Sequence, residues 1–149
     1  MRVRSLQLAS ATLSTLIAAQ CGAATLDVTV GQNSSGQAAL AFNPPTLTIH
    51  VNDTVRFTNA GGVHNVDTYG ASVTAFHCSN DCSGGSNSAP SANAWVATVT
   101  FASAGTVTYH CDLHGTITGS GAGATCSGMC GTITVLSSVP VRLQSFDVD

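Results

Sequence analysis

The sequence contains no lysine and no glutamate, and only 7% of its 149 residues are charged. That scarcity excludes a nucleic-acid-binding role, which needs clustered basic side chains against phosphate. No stretch repeats apolar residues with a helical period over any length, so long amphipathic helices are excluded as well. No Gly-x-Ser-x-Gly elbow is present, which removes the commonest serine-hydrolase arrangement. What remains abundant is Gly, Ser, Thr, Ala and Val, a composition suited to short strands and turns.

The few basic residues are concentrated at the start. Arg2 and Arg4 precede an apolar run from Leu6 to Ala19, too short to span a bilayer and followed by small residues. This reads as a secretory signal over residues 1–24, which implies a periplasmic or secreted protein. Cys21 lies where a lipid anchor is sometimes attached, but Gln20 before it argues against one, since a small residue is wanted there. Removal of residues 1–24 leaves Arg56 and Arg142 against seven aspartates, a net charge of −5. A basic protein partner suits that balance.

From Thr25 to Leu136, short apolar/polar alternations are separated by turn signals. Leu26-x-Val28-x-Val30, Leu47-x-Ile49-x-Val51, Trp95 to Phe101 and Val107-x-Tyr109-x-Cys111 are the clearest. Asn43-Pro44-Pro45 marks a bend or an edge, because proline cannot serve a central ladder. Seven or eight such strands predict an all-β fold, an antiparallel Greek-key sandwich occupying residues 25–136. The segment from Asp67 to Asn93 has no such pattern, and residues 137–149 read as an appended tail with Val141, Leu143 and Phe146 as its apolar residues.

Six cysteines are present. Cys21 is assigned to the leader and Cys111 to a free thiolate, which leaves Cys78, Cys82, Cys126 and Cys130. An even number in an exported chain predicts two disulfides. Three pairings are open, and the spacing favours the local pairs Cys78–Cys82 and Cys126–Cys130 over the others.

Tyr109-His110-Cys111-Asp112-Leu113-His114 carries the chemistry. A thiolate and an imidazole three positions apart at the end of a strand can reach one metal ion. Gly61-Gly62-Val63-His64-Asn65-Val66 offers a second imidazole on a Gly-rich turn, and Met129 offers a thioether. His64, Cys111 and His114 with a distant Met129 make the His₂Cys-plus-axial-Met set of a blue-copper centre. Of the other histidines, His50 reads as a solvent-facing strand residue and His77 as the neighbour of a disulfide. His110, on the strand phase opposite to Cys111, reads as an exposed strand residue. No His-x-His pair occurs among the five histidines, so the further copper sites of an oxidase are lacking.

Several blocks make the chain similar to the cupredoxins, the small blue copper proteins of the plastocyanin, pseudoazurin and azurin group. They are Phe42-Asn43-Pro44 through Asn52-Asp53-Thr54-Val55-Arg56-Phe57, Gly62 to Val66, Gly105 to Gly115, and Gly128-Met129-Cys130-Gly131-Thr132-Ile133-Thr134-Val135. The resemblance implies one type 1 copper ion with His64, Cys111 and His114 as equatorial ligands and Met129 as the axial one. It further implies that Asn65 ties the two ligand loops together. The implied activity is single-electron transfer between protein partners by a monomer that is not an enzyme. The alternative is copper delivery by the same ligands. One departure stands out, because fourteen residues separate His114 from Met129 where the family usually has a few. The tetrapeptide Gly-Thr-Ile-Thr begins at both Gly115 and Gly131, so two registers for the last strand are open, and only the second brings Met129 to the metal.

Overall fold

A computed structural model of the chain describes residues 22–137. The leader with Cys21, and the tail with Arg142, Val141, Leu143 and Phe146, lie outside the described residues. The strands are β1 (Thr25–Gln32), β2 (Ala38–Asn43), β3 (Thr46–His50), β4 (Thr54–Asn59), β5 (Val66–Tyr69), β6 (His77–Cys78), β7 (Val96–Thr100), β8 (Gly105–Thr118) and β9 (Thr125–Leu136). They form two sheets, in the orders β2-β1-β4-β7 and β3-β9-β8-β5-β6. Most neighbours are antiparallel, while β1/β4 and β3/β9 run parallel. The bend at Asn43-Pro44, a cis peptide bond, carries the chain from the edge of one sheet to the edge of the other. Proline there interrupts no central ladder.

The period-two patterns fix which side chains enter the space between the sheets. Val28, Val30, Phe42, Ile49, Val55, Phe57, Val99, Phe101, Val107, Tyr109, Ile133 and Val135 are all buried there. Tyr109 sits at the centre, with ring centroids 4.8 Å from Phe42 and 5.4 Å from Phe57. Its hydroxyl is buried without a hydrogen-bond partner, and burial pushes the phenol's pKa upward. Gly131 makes room for that ring, since a Cβ there would lie 2.6 Å from Tyr109 Cε2.

The nine strands exceed the seven or eight that alternation alone gives. β5 and β6 are the reason, being two to four residues long, largely polar and only half-buried. Between β6 and β7 the chain is ordered by side chains instead of a ladder. The Cys78–Cys82 disulfide closes one turn with a Cα separation of 4.1 Å. Buried Ser79 donates to the carbonyls of Asn87 and Ala89, both at 2.7 Å, and Asp81 accepts from Ser83 and Ser88.

The fourteen-residue insertion is a hairpin arm. β8 and β9 pair in register from Gly105↔Val135 to His110↔Cys130, then again from Gly115↔Gly128 to Thr118↔Thr125. The second Gly-Thr-Ile-Thr copy therefore lies in the sandwich, between β8 and β3, and the first lies in the arm. Cys126 and Cys130 are disulfide-bonded with Cα atoms 6.1 Å apart. Four residues of extended strand would span about 13 Å, so β9 bends sharply between them, at Gly128 with φ +86°. The arm turns back along the outer face of the second sheet. Its tip meets Gly70, where an added Cβ would lie 3.0 Å from the Gly121 carbonyl oxygen.

Candidate metal centre

Between the two paired stretches of β8 and β9, residues 111–114 of β8 stand opposite the single residue Met129. Cys111 to His114 are thus a wide bulge in a continuous hairpin, in which Cys111 is buried, His114 half-buried, and Asp112 and Leu113 exposed. Cys111 continues the inward phase of Val107 and Tyr109, is fully buried, and is the one free cysteine among the described residues. Met129 shares the inward phase of Ile133 and Val135 and is 1% exposed. The insertion therefore leaves Met129 across from the ligand bulge, because all of the added length is taken up in the arm.

His64 arrives from the β4–β5 loop. Gly61 and Gly62 have φ of +145° and +85°, conformations that favour glycine. A Cβ at Gly62 would lie 2.6 Å from His64 Nε2, and one at Gly31 would lie 3.0 Å from the same atom. The ring's outer edge is thereby packed against bare backbone, which turns Nδ1 inward. The His64 backbone is held by reciprocal bonds with Ser91, at 3.1 and 3.0 Å, and its carbonyl also accepts from the Trp95 indole at 3.1 Å. Asn59, buried at the end of β4, donates to the carbonyls of Gly62 and Asn93. Burial, and then the nearby His114, lower the pKa of His64, favouring the neutral ring that a metal requires.

Three donor atoms converge. His64 Nδ1 and His114 Nδ1 are 3.1 Å apart, and Cys111 Sγ is 3.7 Å from the first and 3.5 Å from the second. The point equidistant from the corners of that triangle is about 2.0 Å from each, within the ~2.0–2.3 Å of nitrogen and sulfur bonds to a first-row metal. Two imidazole nitrogens and a sulfur, each able to turn a lone pair to one spot, are a donor set that fits a metal ion. Its mixture of imidazole and thiolate suits copper.

Asn65, fully buried, spans the two loops. Its Oδ1 accepts from the Asp112 backbone N–H at 2.9 Å, its Nδ2 donates to Asp112 Oδ2 at 2.6 Å, and the second Nδ2 hydrogen is shared between His77 Nε2 at 3.1 Å and the Ser88 carbonyl at 3.3 Å. His114 is the triad member nearest solvent, flanked in sequence by exposed Leu113 and facing a loop that exposes Val63.

The remaining histidines are placed differently from one another. His50 is exposed, as its strand phase predicts. His110 is not exposed as expected. Its side chain is only 12% accessible, because Gly115 of the arm lies against its Cβ and Tyr69 of β5 packs edge-on at 5.6 Å. His77 does more than neighbour a disulfide, lying 3.2 Å from Asp112 Oδ2. The sequence reading also missed Asn59, Ser91 and Trp95 as supports of His64. Asn59 had a signal, since it continues the inward phase of Val55 and Phe57, whereas Ser91 sits in a patternless loop.

A sequence model of copper binding proteins of the plastocyanin/azurin family matches residues 28–136. Comparison by sequence with curated proteins finds no match. Among solved structures, native pseudoazurin from Hyphomicrobium denitrificans is 17% identical over 74% of each chain, with a TM-score of 0.47. A reduced amicyanin variant is 24% identical over 78% of this chain and 85% of its own, with a TM-score of 0.46. Oxidised plastocyanin from Dryopteris crassirhizoma is 18% identical over 74% of this chain and 100% of its own, at 0.43. These structural likenesses are distant, and the sequence match is the stronger finding.

Proposed function

The chain belongs to the plastocyanin/azurin family of copper-binding proteins, and from that membership we propose that it is an exported carrier of single electrons with one type 1 copper site. His64, Cys111 and His114 would be its strong ligands and Met129 its weak one. The observation that carries this reading is the convergence of two imidazole nitrogens and one sulfur within 3.7 Å of one another. Copper bound there supplies a Cu(I)/Cu(II) couple whose two states are both served by thiolate and imidazole.

The chain's own residues do the rest. Cys111 keeps its sulfur in a dry site, and the two flanking strands fix its direction. The glycine cradle and the Trp95 and Ser91 bonds hold the His64 ring in one orientation. Asn65 clamps the Cys111 loop to the His64 loop, so both ligand loops keep one geometry in either oxidation state. Little rearrangement then accompanies gain or loss of an electron. His114, at the rim between apolar Val63 and Leu113, gives a redox protein the shortest approach to the site. The role proposed is transfer of an electron, not the transformation of a substrate. Export agrees with the two disulfides, which persist in oxidising compartments.

Copper delivery is the competing reading, and the burial of His64 and Cys111 favours a carrier. Handing an ion to an acceptor requires ligands that open, and these are pinned from several sides. The test is to load one equivalent of copper and cycle the protein with a mild oxidant and reductant in the presence of a Cu(I) chelator. A carrier keeps its copper through repeated cycles. Loss of the metal to the chelator on the first reduction would overturn the proposal.

A further inference from the structure

The arm that separates His114 from Met129 is tied to the sandwich by one covalent link. Cys126 is the ladder partner of Ile117 within the arm, whereas Cys130 is the partner of His110 in the sandwich. The Cys126–Cys130 disulfide therefore joins the two paired stretches of the hairpin, and it does so beside Met129, the residue that faces the ligand bulge. We propose that this disulfide is a positioning element of the metal centre, holding Met129 and the His114 backbone against the bulge, a role that rests on the copper reading given above.

Little else holds the arm down. Its ladder has four pairs, from Gly115↔Gly128 to Thr118↔Thr125, and a two-stranded ladder of that length is marginal in water on its own. No residue from Gly115 to Gly128 is buried, so the arm brings no core of its own. Its base is nonetheless seated on the ligand backbone. A Cβ at Gly128 would overlap the His114 carbonyl oxygen, and one at Gly115 would lie 2.9 Å from the Met129 carbonyl oxygen and 3.1 Å from that of Cys111. Movement of the arm thus moves the residues on both sides of the bulge. His64 is insulated from such movement by Ser91 and Trp95, and the Asn65 clamp reaches the bulge only at Asp112. His114 has no such support: among the described residues its side-chain polar contacts are those with His64 and Cys111 alone. A disulfide that closes a ring across a sequence separation of four leaves residues 127–129 few conformations, whatever the arm's ladder does. It thereby fixes the step from Gly128 to Met129 that the weak ladder leaves loose.

The experiment compares wild type with Cys126→Ser/Cys130→Ser, which removes the bridge and keeps every donor of the centre. In the metal-free proteins the alkylation rate of Cys111 by iodoacetamide, read by mass spectrometry, reports opening of the bulge without any copper. Wild-type Cys111 is fully buried. In the variant it should react about tenfold faster or more, as a group whose cover opens locally does. With one equivalent of copper, the reduction potential of the variant should rise, because a displaced axial donor disfavours Cu(II) more than Cu(I). The rise should be smaller when Met129 is already leucine. Ile49→Ala, in the core at the end of the ladder opposite the bulge, is the control; it costs stability but should change neither readout. If the double variant fails to fold, wild type is folded first, then reduced with a water-soluble phosphine, and read on molecules that have lost only this bridge. Alkylation no faster than in wild type overturns the proposal, whatever the copper does. Faster alkylation with an unchanged potential overturns it as well, since the bridge would then hold the arm and not the centre. A wild type that takes up no copper would end the copper reading and the role proposed with it, while the alkylation rates would still tell whether the bridge holds the bulge shut.

Discussion

Replacing Asn65 with alanine removes the clamp between the two ligand loops, and its cost can be worked from three hydrogen bonds. The bond from the Asp112 N–H, at 2.9 Å and neutral, is worth about 1 kcal/mol. The bond to the Asp112 carboxylate, at 2.6 Å, is charge-assisted. That carboxylate is 33% exposed, so screening holds it to the low end of its range, about 1.5 kcal/mol. The second Nδ2 hydrogen, shared between His77 Nε2 at 3.1 Å and the Ser88 carbonyl at 3.3 Å, adds about 0.5 kcal/mol. The sum is about 3 kcal/mol, and some cavity cost comes on top because Asn65 is fully buried. Urea unfolding of the metal-free protein reads this loss without any contribution from the metal. Asn65→Asp should be still worse, because it sets a carboxylate against that of Asp112. A loss below 1 kcal/mol in Asn65→Ala, or an Asn65→Asp variant as stable as wild type, would refute the clamp.

Three more outcomes are expected. Gly131→Ala drives a methyl into the Tyr109 ring, itself walled by Phe42, Phe57 and Phe76, and should lower stability by about 2–3 kcal/mol in thermal or urea melts. In the uncleaved chain Asp53 accepts the backbone N–H groups of Ala24 and His50, at 2.7 and 2.8 Å, and these bonds hold its pKa below the usual carboxylate range; in a chain that starts at Thr25 the His50 bond remains. A depressed folded pKa contributes stability above about pH 4 that is lost as pH falls through the folded value. Wild type should therefore exceed Asp53→Asn in stability at pH 7, and the gap should close in melts taken at progressively lower pH. Met129→Leu should keep copper bound and blue while raising the reduction potential, since loss of a donor disfavours Cu(II) more than Cu(I). An unchanged potential in voltammetry would remove Met129 from the site.

The strand phases were legible because apolar residues in half-buried strands repeat every second position. Val107, Tyr109 and Cys111 were read inward together and are buried together. His64 was legible for a related reason, as Gly61 and Gly62 mark a turn that only glycine adopts easily. Met129 was legible as a ligand from the donor set and the family likeness, but its long separation from His114 left two registers of the last strand open, because an inserted hairpin adds length without adding distance between the residues at its base. The fold-back depends on the bend at Gly128 and the Cys126–Cys130 bridge, and nothing in a local pattern says which way an arm turns. His110 shows the consequence. Its phase pointed outward correctly, but the covering arm and Tyr69 come from elsewhere in the chain. β5 and β6 stayed hidden because their pairing is dictated by β8, with too few apolar residues of their own to show a period.

The most direct test of the account is the visible spectrum of the copper-loaded protein beside that of Cys111→Ser. Charge transfer from the Cys111 thiolate to copper gives the blue colour, and a hydroxyl cannot supply it. Wild type with one equivalent of Cu(II) should show an intense visible band. Cys111→Ser, its two disulfides and sandwich intact by circular dichroism, should be folded and without that band. An intense blue band retained in Cys111→Ser, or a colourless wild type that nonetheless binds one Cu(II), would contradict the central claim.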